Sequence, residues 1–323
     1  MSDKHIVKIF FMGTPEFAVP SLEALAKEGY NIVGVATQPD RPKGRGRKLL
    51  PPPVKESALK LGIKIFQPER VKDPEFIDKV SELSPDFIVV AAYGQILPQN
   101  LLDLPQIMPV NVHGSLLPKY RGAAPIQWAI INGEKETGIT IMKMDAGMDT
   151  GPILLQERLP IEPFESFGSL YNKMANLGAK ALIKTLDGIL KGAITPKDQP
   201  KEGVSYAPPI SREMLKINWE DNAQKIVNII RAFDPKPGAY TIYKGQRLRL
   251  YSAFWVSDEE INDQNKNLNP GTVIKADDSA LVVKALGEGA VGIKELQWPG
   301  KKRLFVAEFL RGRPIPTGYR FKE

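Results

Sequence analysis

At 323 residues, 42% hydrophobic and 25% charged, the chain is long enough for two cores and too apolar for disorder. It has no cysteine, and His5 and His113 are its only histidines. This excludes disulfides, thiolate nucleophiles and metal sites built on several imidazoles, so no metal is expected. The formal charge of +7, from 44 Lys+Arg against 37 Asp+Glu, favours a polyanionic partner only where it is clustered.

The N-terminus passes from polar residues straight into a strand pattern without a signal-peptide cleavage site. No apolar run approaches the roughly 18 residues of a membrane span. A soluble, cytoplasmic protein with no membrane partner is expected, and the lack of a coiled-coil pattern suggests a monomer. Runs rich in β-branched residues predict strands over 7–12, 31–37, 63–66, 87–92, 109–113 and 137–144. Helical spacing of apolar residues occupies 17–28, 54–61, 75–83, 124–132 and 170–190. Pro15 and Pro74 stand near two of the starts, where a missing N–H costs little. This alternation is that of an α/β fold, an open, mostly parallel Rossmann-like sheet with flanking helices. Residues 192–209 carry four prolines and two glycines with little periodicity, which places a linker over 191–205 between domains 1–190 and 206–323. Beyond it, a helix over 223–232 and short strands over 239–243, 248–252, 272–274, 281–284 and 291–296 suggest a smaller C-terminal β-barrel, OB-like in character.

Parallel sheets bind ligands at the carboxyl ends of their strands, so polar residues where a strand stops are the first candidates for chemistry. The strand ending at 113 carries Asn111 and His113 on one side, with Val112 opposite. An amide donor and an imidazole converging on one point suit acyl transfer, in which a carbonyl becomes an oxyanion. A histidine at a strand end can equally be a satisfied structural residue. The turn over 144–151 carries Asp145 and Asp149 among glycines; it can supply the carboxylate that orients an imidazole, or it can be turn chemistry alone. His5 has no such company. Gly13 ends the first strand without the further glycines of a dinucleotide fingerprint, and no phosphate-binding Gly-Lys loop occurs, so nucleotide binding of those kinds is rejected.

After the second strand, Arg41, Lys43, Arg45, Arg47 and Lys48 place five cations in eight residues with no acid among them. At the ligand end of a parallel sheet such a run can clamp a phosphate backbone, or it can be a solvated face. Residues 206–323 hold 19 basic against 14 acidic side chains, a second surplus of the sign that nucleic acid attracts.

In the pattern Asn111-x-His113-x-Ser115-Leu116-Leu117-Pro118-x-x-Arg121-Gly122-x-x-Pro125, followed by Asp145-x-Gly147-x-Asp149-Thr150-Gly151, the sequence resembles the folate-dependent formyltransferases. The loop Gln38-Pro39-Asp40-Arg41-Pro42-x-Gly44-Arg45-Gly46 and the added C-terminal domain are similar to the branch of that family that formylates methionyl-tRNA. The likeness runs nearly end to end and is stronger before residue 190 than after it. It implies 10-formyltetrahydrofolate as the donor cosubstrate and the α-amino group of methionyl-initiator tRNA as acceptor. It also implies catalytic roles for Asn111, His113 and Asp149, folate contacts for Ser115, Leu116, Leu117 and Pro118, and tRNA contacts for the basic loop, Arg45 among them, and for the C-terminal domain. Formylation of another amine, such as glycinamide ribonucleotide or an amino sugar nucleotide, would need the same three residues without both basic regions. A non-catalytic tRNA-binding protein would leave the Asn111–His113 pair unexplained.

Overall fold

The run Ile-Phe-Phe-Met in β1 (Lys8–Gly13) is buried throughout, as a central strand covered on both faces must be. β1 belongs to a computed structural model that describes residues 4–43 and 48–321. Two compact units divide it: Met1–Pro125, Thr137–Leu159 and Tyr171–Ala207 form the first, and Ile126–Glu136, Pro160–Leu170 and Pro208–Glu323 the second.

After β1 the chain forms α1 (Val19–Lys27), β2 (Asn31–Ala36), a short hairpin of β3 (Arg41–Lys43) and β4 (Lys48–Leu50), α2 (Pro53–Lys60), β5 (Ile65–Phe66), α3 (Pro74–Glu82), β6 (Phe87–Ala91), α4 (Gln99–Leu102) and β7 (Met108–His113). α5 (Pro125–Ile131), β8 (Glu136–Lys143), β9 (Ile153–Pro160) and α6 (Phe167–Leu190) follow. The strands make a seven-stranded sheet in the order β5-β2-β1-β6-β7-β8-β9. Every pairing from β5 to β7 is parallel, and β8 runs antiparallel to β7. The expected Rossmann-like, mostly parallel sheet is therefore present.

Three rings fill the core on one face: Phe10 of β1 lies 5.6 Å from Phe66 and 6.2 Å from Phe76, with Phe66 and Phe76 6.3 Å apart. Each buried phenyl contributes roughly 1.5–3 kcal/mol. Phe76 comes from α3, which starts at Pro74 and buries Phe76, Ile77 and Val80 along one side. Gly13 has a packing role in place of a phosphate role, since a Cβ there would stand 2.7 Å from the Ala18 Cβ and 3.0 Å from the Ala91 carbonyl oxygen. The short α4, β9 and the β3–β4 hairpin have no counterpart in the sequence pattern. In β9, burial is partial at most positions, and charged Glu157 and Arg158 break its alternation. The β3–β4 hairpin pairs Arg41 with Leu50 and Lys43 with Lys48, in a stretch whose prolines and glycines read as loop.

The second unit carries α7 (Ala223–Ala232), β10 (Tyr240–Tyr243), β11 (Gln246–Val256), α8 (Asp263–Lys266), β12 (Val273–Ala276), β13 (Leu281–Lys284), β14 (Ala290–Gln297), β15 (Arg303–Phe305) and α9 (Val306–Gly312). Its strands form an antiparallel half-barrel in the order β10-β11-β14-β13-β12, with β15 added against β14. Asn222 caps α7 by accepting the Lys225 N–H at 2.8 Å, and the helix buries Ile226, Val227 and Ile230. At the other end of the chain Phe321 stacks on Trp219, with ring centroids 5.7 Å apart and planes 16° from parallel. Among the described residues no helix is long and apolar enough to cross a membrane.

Candidate active site

Asn111 and His113 occupy the last turn of the pleat in β7, between β6 and β8: Asn111 pairs with Val90 on one side and with Met142 on the other, and His113 with Thr140. His113 is buried and Asn111 half-buried. Asp149 reaches them from the turn between β8 and β9. Its Oδ1 lies 3.5 Å from the Asn111 Nδ2 and its Oδ2 3.5 Å from the His113 Nδ1. The structure thus brings the three candidates together.

What surrounds them fixes the imidazole's orientation. His113 Nε2 lies 3.0 Å from the main-chain oxygen of Tyr120. A carbonyl can only accept, so Nε2 carries a proton and donates it there. In the neutral ring Nδ1 is then a lone pair facing a carboxylate across 3.5 Å. The ring is thus set between the Tyr120 carbonyl and the Asp149 carboxylate. Asp149 itself is held by the Gly122 N–H, which donates to its Oδ2 at 2.8 Å. Both residues that restrain the ring are left-handed without being glycine, Tyr120 at φ 59 and Asp149 at φ 52. Such conformations cost roughly 1–3 kcal/mol each and gather where geometry serves function.

Ser115, Leu116, Leu117 and Pro118 follow β7 after Gly114. Ser115 and Leu117 turn inward and are buried. The Ser115 hydroxyl donates to the Lys119 carbonyl at 2.6 Å, the Leu117 N–H donates to the Thr140 hydroxyl at 3.1 Å, and Gln156 donates to the Leu117 carbonyl at 2.8 Å. Leu116 and Pro118 are partly exposed.

Beside β7, the carboxyl ends of β1, β2 and β6 open into a cleft of about 410 Å³ whose lining includes Thr14, Glu16, Gln38, Arg41, Pro52 and Tyr93. None of Asn111, His113 and Asp149 lines it; the cleft and the triad are neighbours along the same edge of the sheet. Burial pushes the Tyr93 hydroxyl up to about 12, so it is neutral. Asp40 anchors the base of the hairpin, 2.7 Å from Gln67 and 2.8 Å from Lys55. Hydrogen bonds from Gln67 and then Lys55 hold its carboxyl below the usual carboxylate range. Arg41 is exposed on the hairpin. Lys43 and Lys48 pair through their backbones, their side chains lie outside the described residues, and so do Arg45 and Arg47.

The sequence pattern gave no role to Tyr120, Gly122 or Gln199. Gly122 stands in the motif Arg121-Gly122, and its φ of 121 together with a Cβ position 2.8 Å from the Ala207 carbonyl oxygen explains the glycine. Gln199 gives no local signal at all, because its partners are some fifty residues away.

Residues 6–186 match the formyl transferase family model, and residues 209–314 match that of the formyl transferase C-terminal domain. The methionyl-tRNA formyltransferase of Acetivibrio thermocellus is 49% identical over 97% of this chain and 98% of its own length. That of Caldanaerobacter subterraneus subsp. tengcongensis is 50% identical over 97% of this chain and 99% of its own. Among solved structures, WlaRD, a sugar 3N-formyl transferase determined in the presence of dTDP and 5-N-formyl-THF, matches with a TM-score of 0.65 at 21% identity. The match covers 92% of this chain and 100% of that one, a likeness of fold. With half its residues shared along nearly its whole length, the chain belongs to the formyl transferase family, in the group of the methionyl-tRNA formyltransferases.

Proposed function

We propose that this enzyme transfers the formyl group of 10-formyltetrahydrofolate to the α-amino group of methionyl-initiator tRNA, giving the N-formylated aminoacyl-tRNA used to begin translation. The observation that carries the reading is the convergence of Asn111, His113 and Asp149 at the end of β7 in a chain of this family.

The acceptor amine needs no activation by serine, cysteine or metal. An α-amino group has a pKa of about 7.7–8.0 and is substantially neutral at physiological pH. Its nitrogen attacks the formyl carbon, a C–N bond forms, and the carbonyl electron pair moves onto oxygen. The Asn111 amide donates to that oxyanion. His113 Nδ1, the ring nitrogen left uncommitted by Tyr120, takes the amine's proton, and Asp149 stabilises the resulting imidazolium. The bond from the formyl carbon to the folate nitrogen then breaks, that nitrogen receives the proton, and tetrahydrofolate departs. Ser115, Leu116, Leu117 and Pro118 border the folate site, with Leu116 and Pro118 offering surface to it. Arg41, Lys43, Arg45, Arg47 and Lys48, together with the basic surplus of residues 206–323, meet the tRNA backbone. The enzyme acts as a monomer in the cytoplasm.

The test supplies 10-formyltetrahydrofolate with methionyl-tRNA and glycinamide ribonucleotide in one mixture. Formyl-methionyl-tRNA is the expected product. Formylation of the small amine alone would discard the tRNA as acceptor, and tRNA binding without transfer to either would discard catalysis.

A further inference from the structure

Asp149 keeps a left-handed backbone at φ 52, which a residue with a side chain holds only where its surroundings over-determine it. Gly122 restrains the carboxylate. The main chain is restrained from elsewhere. Gln199 Nε2 donates to the carbonyl oxygens of Asp149 and Gly151, each at 2.8 Å, and so bridges the two ends of the Asp149-Thr150-Gly151 turn. Its Oε1 accepts from Arg121, Nε at 3.2 Å and Nη2 at 2.7 Å. Arg121 immediately precedes Gly122, the residue whose N–H binds the Asp149 carboxylate. One amide therefore joins the two segments that hold Asp149.

The chemistry of the position calls for glutamine. Two carbonyls must be met by two N–H donors on one nitrogen, and a guanidinium must be met by an oxygen on the same group; a carboxamide supplies both and a carboxylate only the second. The backbone around Gln199 keeps it in register. Lys197 and Ile153 exchange hydrogen bonds of 2.7 and 2.9 Å, the Arg121 N–H donates to Ser205 at 2.9 Å, and the Ala207 N–H donates to Arg121 at 2.7 Å. The Ser205 hydroxyl also accepts from the N–H of Tyr120 at 2.9 Å, the residue whose carbonyl fixes His113. A stretch that composition marks as a linker is here laced onto the loops of the triad.

We propose, on the formyl-transfer reading above, that Gln199 is a positioning residue for the reaction: the bridge from Arg121 through Gln199 to the Asp149 turn sets the carboxylate opposite His113 Nδ1. It touches no reacting atom and acts through Asp149. A displacement of catalytic groups by a fraction of an ångström to an ångström lowers turnover without altering how substrates bind, by up to about a hundredfold.

The experiment compares wild type, Gln199→Glu and Gln199→Leu in steady-state formylation of methionyl-tRNA, with thermal melts and spectra of protein labelled with ¹⁵N-glycine. Gln199→Glu keeps the size and the Arg121 contact but sets a carboxylate against two carbonyls, whereas Gln199→Leu removes all four hydrogen bonds. Both variants are expected to lose kcat by about tenfold to a hundredfold, with KM for folate and for tRNA within about twofold of wild type. Both are also expected to shift the Gly122 amide resonance, which reports the bond to Asp149. Active wild type with variants equally fast would overturn the role, as would a KM increase at unchanged kcat, or a rate loss explained wholly by unfolded protein in the melts. Wild type that makes no formyl-methionyl-tRNA would overturn the formyl-transfer reading and this role with it.

Discussion

Among the left-handed non-glycine residues, Asp149 in the first unit and Ser252 in the second each stand in a carboxylate network, and the two networks are built in opposite ways. In the second unit Ser252, at φ 51 within β11, sits in a network of two carboxylates and a guanidinium. Its N–H donates to Asp234 at 3.0 Å and its hydroxyl to Glu295 at 2.6 Å. Arg303 then donates to Asp234 at 2.6 Å, to the Ser252 hydroxyl at 3.0 Å and to Glu295, while its guanidinium lies 4.2 Å over the Tyr251 ring. In the first unit Asp149 spends one short bond on Gly122 and leaves its oxygens 3.5 Å from Asn111 and His113, at the outer limit of hydrogen bonding. Mostly short bonds, with one of 3.3 Å from Arg303 to Asp234, mark a network whose purpose is the fold. Long contacts between strongly polar groups mark capacity kept for something that arrives later, and catalytic contacts commonly tighten only around substrate.

The comparison breaks most readily at Asn111. Asn111→Ala removes a side-chain donor whose one hydrogen bond among the described residues is the 3.5 Å contact with Asp149, so it is expected to leave the melting temperature nearly unchanged and to lower kcat by on the order of 10²–10³. Equal losses of rate and stability would show that the slack is not functional. Arg303→Met makes the converse case. Asp234, buried, and Glu295, mostly buried, would lose their cation, and denaturant titration should show a loss of about 2–4 kcal/mol, tempered by the partial exposure of Arg303.

Acid sharpens the contrast by a smaller amount. Burial alone would raise the Glu295 carboxyl, but hydrogen bonds from Arg303 and Ser252 and the charge of Arg303 outweigh it and hold the group below the usual carboxylate range. A carboxyl depressed in the folded state contributes stability above its unfolded pKa of about 4.3, and that contribution is lost as pH falls through the folded value. Wild type should therefore lose stability from this group below about pH 4, by less than about 1 kcal/mol after solvent screening, and Arg303→Met should lack that component.

The sequence discloses what depends on neighbours in the chain and hides what depends on distant ones. β1 and β6 are legible because central strands are continuous apolar runs. β9 and the β3–β4 hairpin are not, because an edge strand with Glu157 and Arg158 and a hairpin rich in proline and cations have no pattern of their own. Asn111 and His113 stand out by period and by their place at a strand end, and Asp149 by its glycine-punctuated turn. Tyr120 and Gln199 stay hidden, since a main-chain carbonyl can come from any residue and an amide in a proline-rich stretch announces no partner. The paired left-handed conformations of Tyr120 and Asp149 could be seen only once the chain was folded.

The measurement that bears most directly on the proposed chemistry is the single-turnover rate of formyl transfer to methionyl-tRNA by wild type and by His113→Ala, both saturated with 10-formyltetrahydrofolate and matched in melting temperature. A rate lower by on the order of 10²–10⁴ in the variant is the predicted result. Transfer by His113→Ala within about threefold of wild type would contradict it, since the amine's proton would then be handled without the imidazole that Tyr120 and Asp149 hold in place.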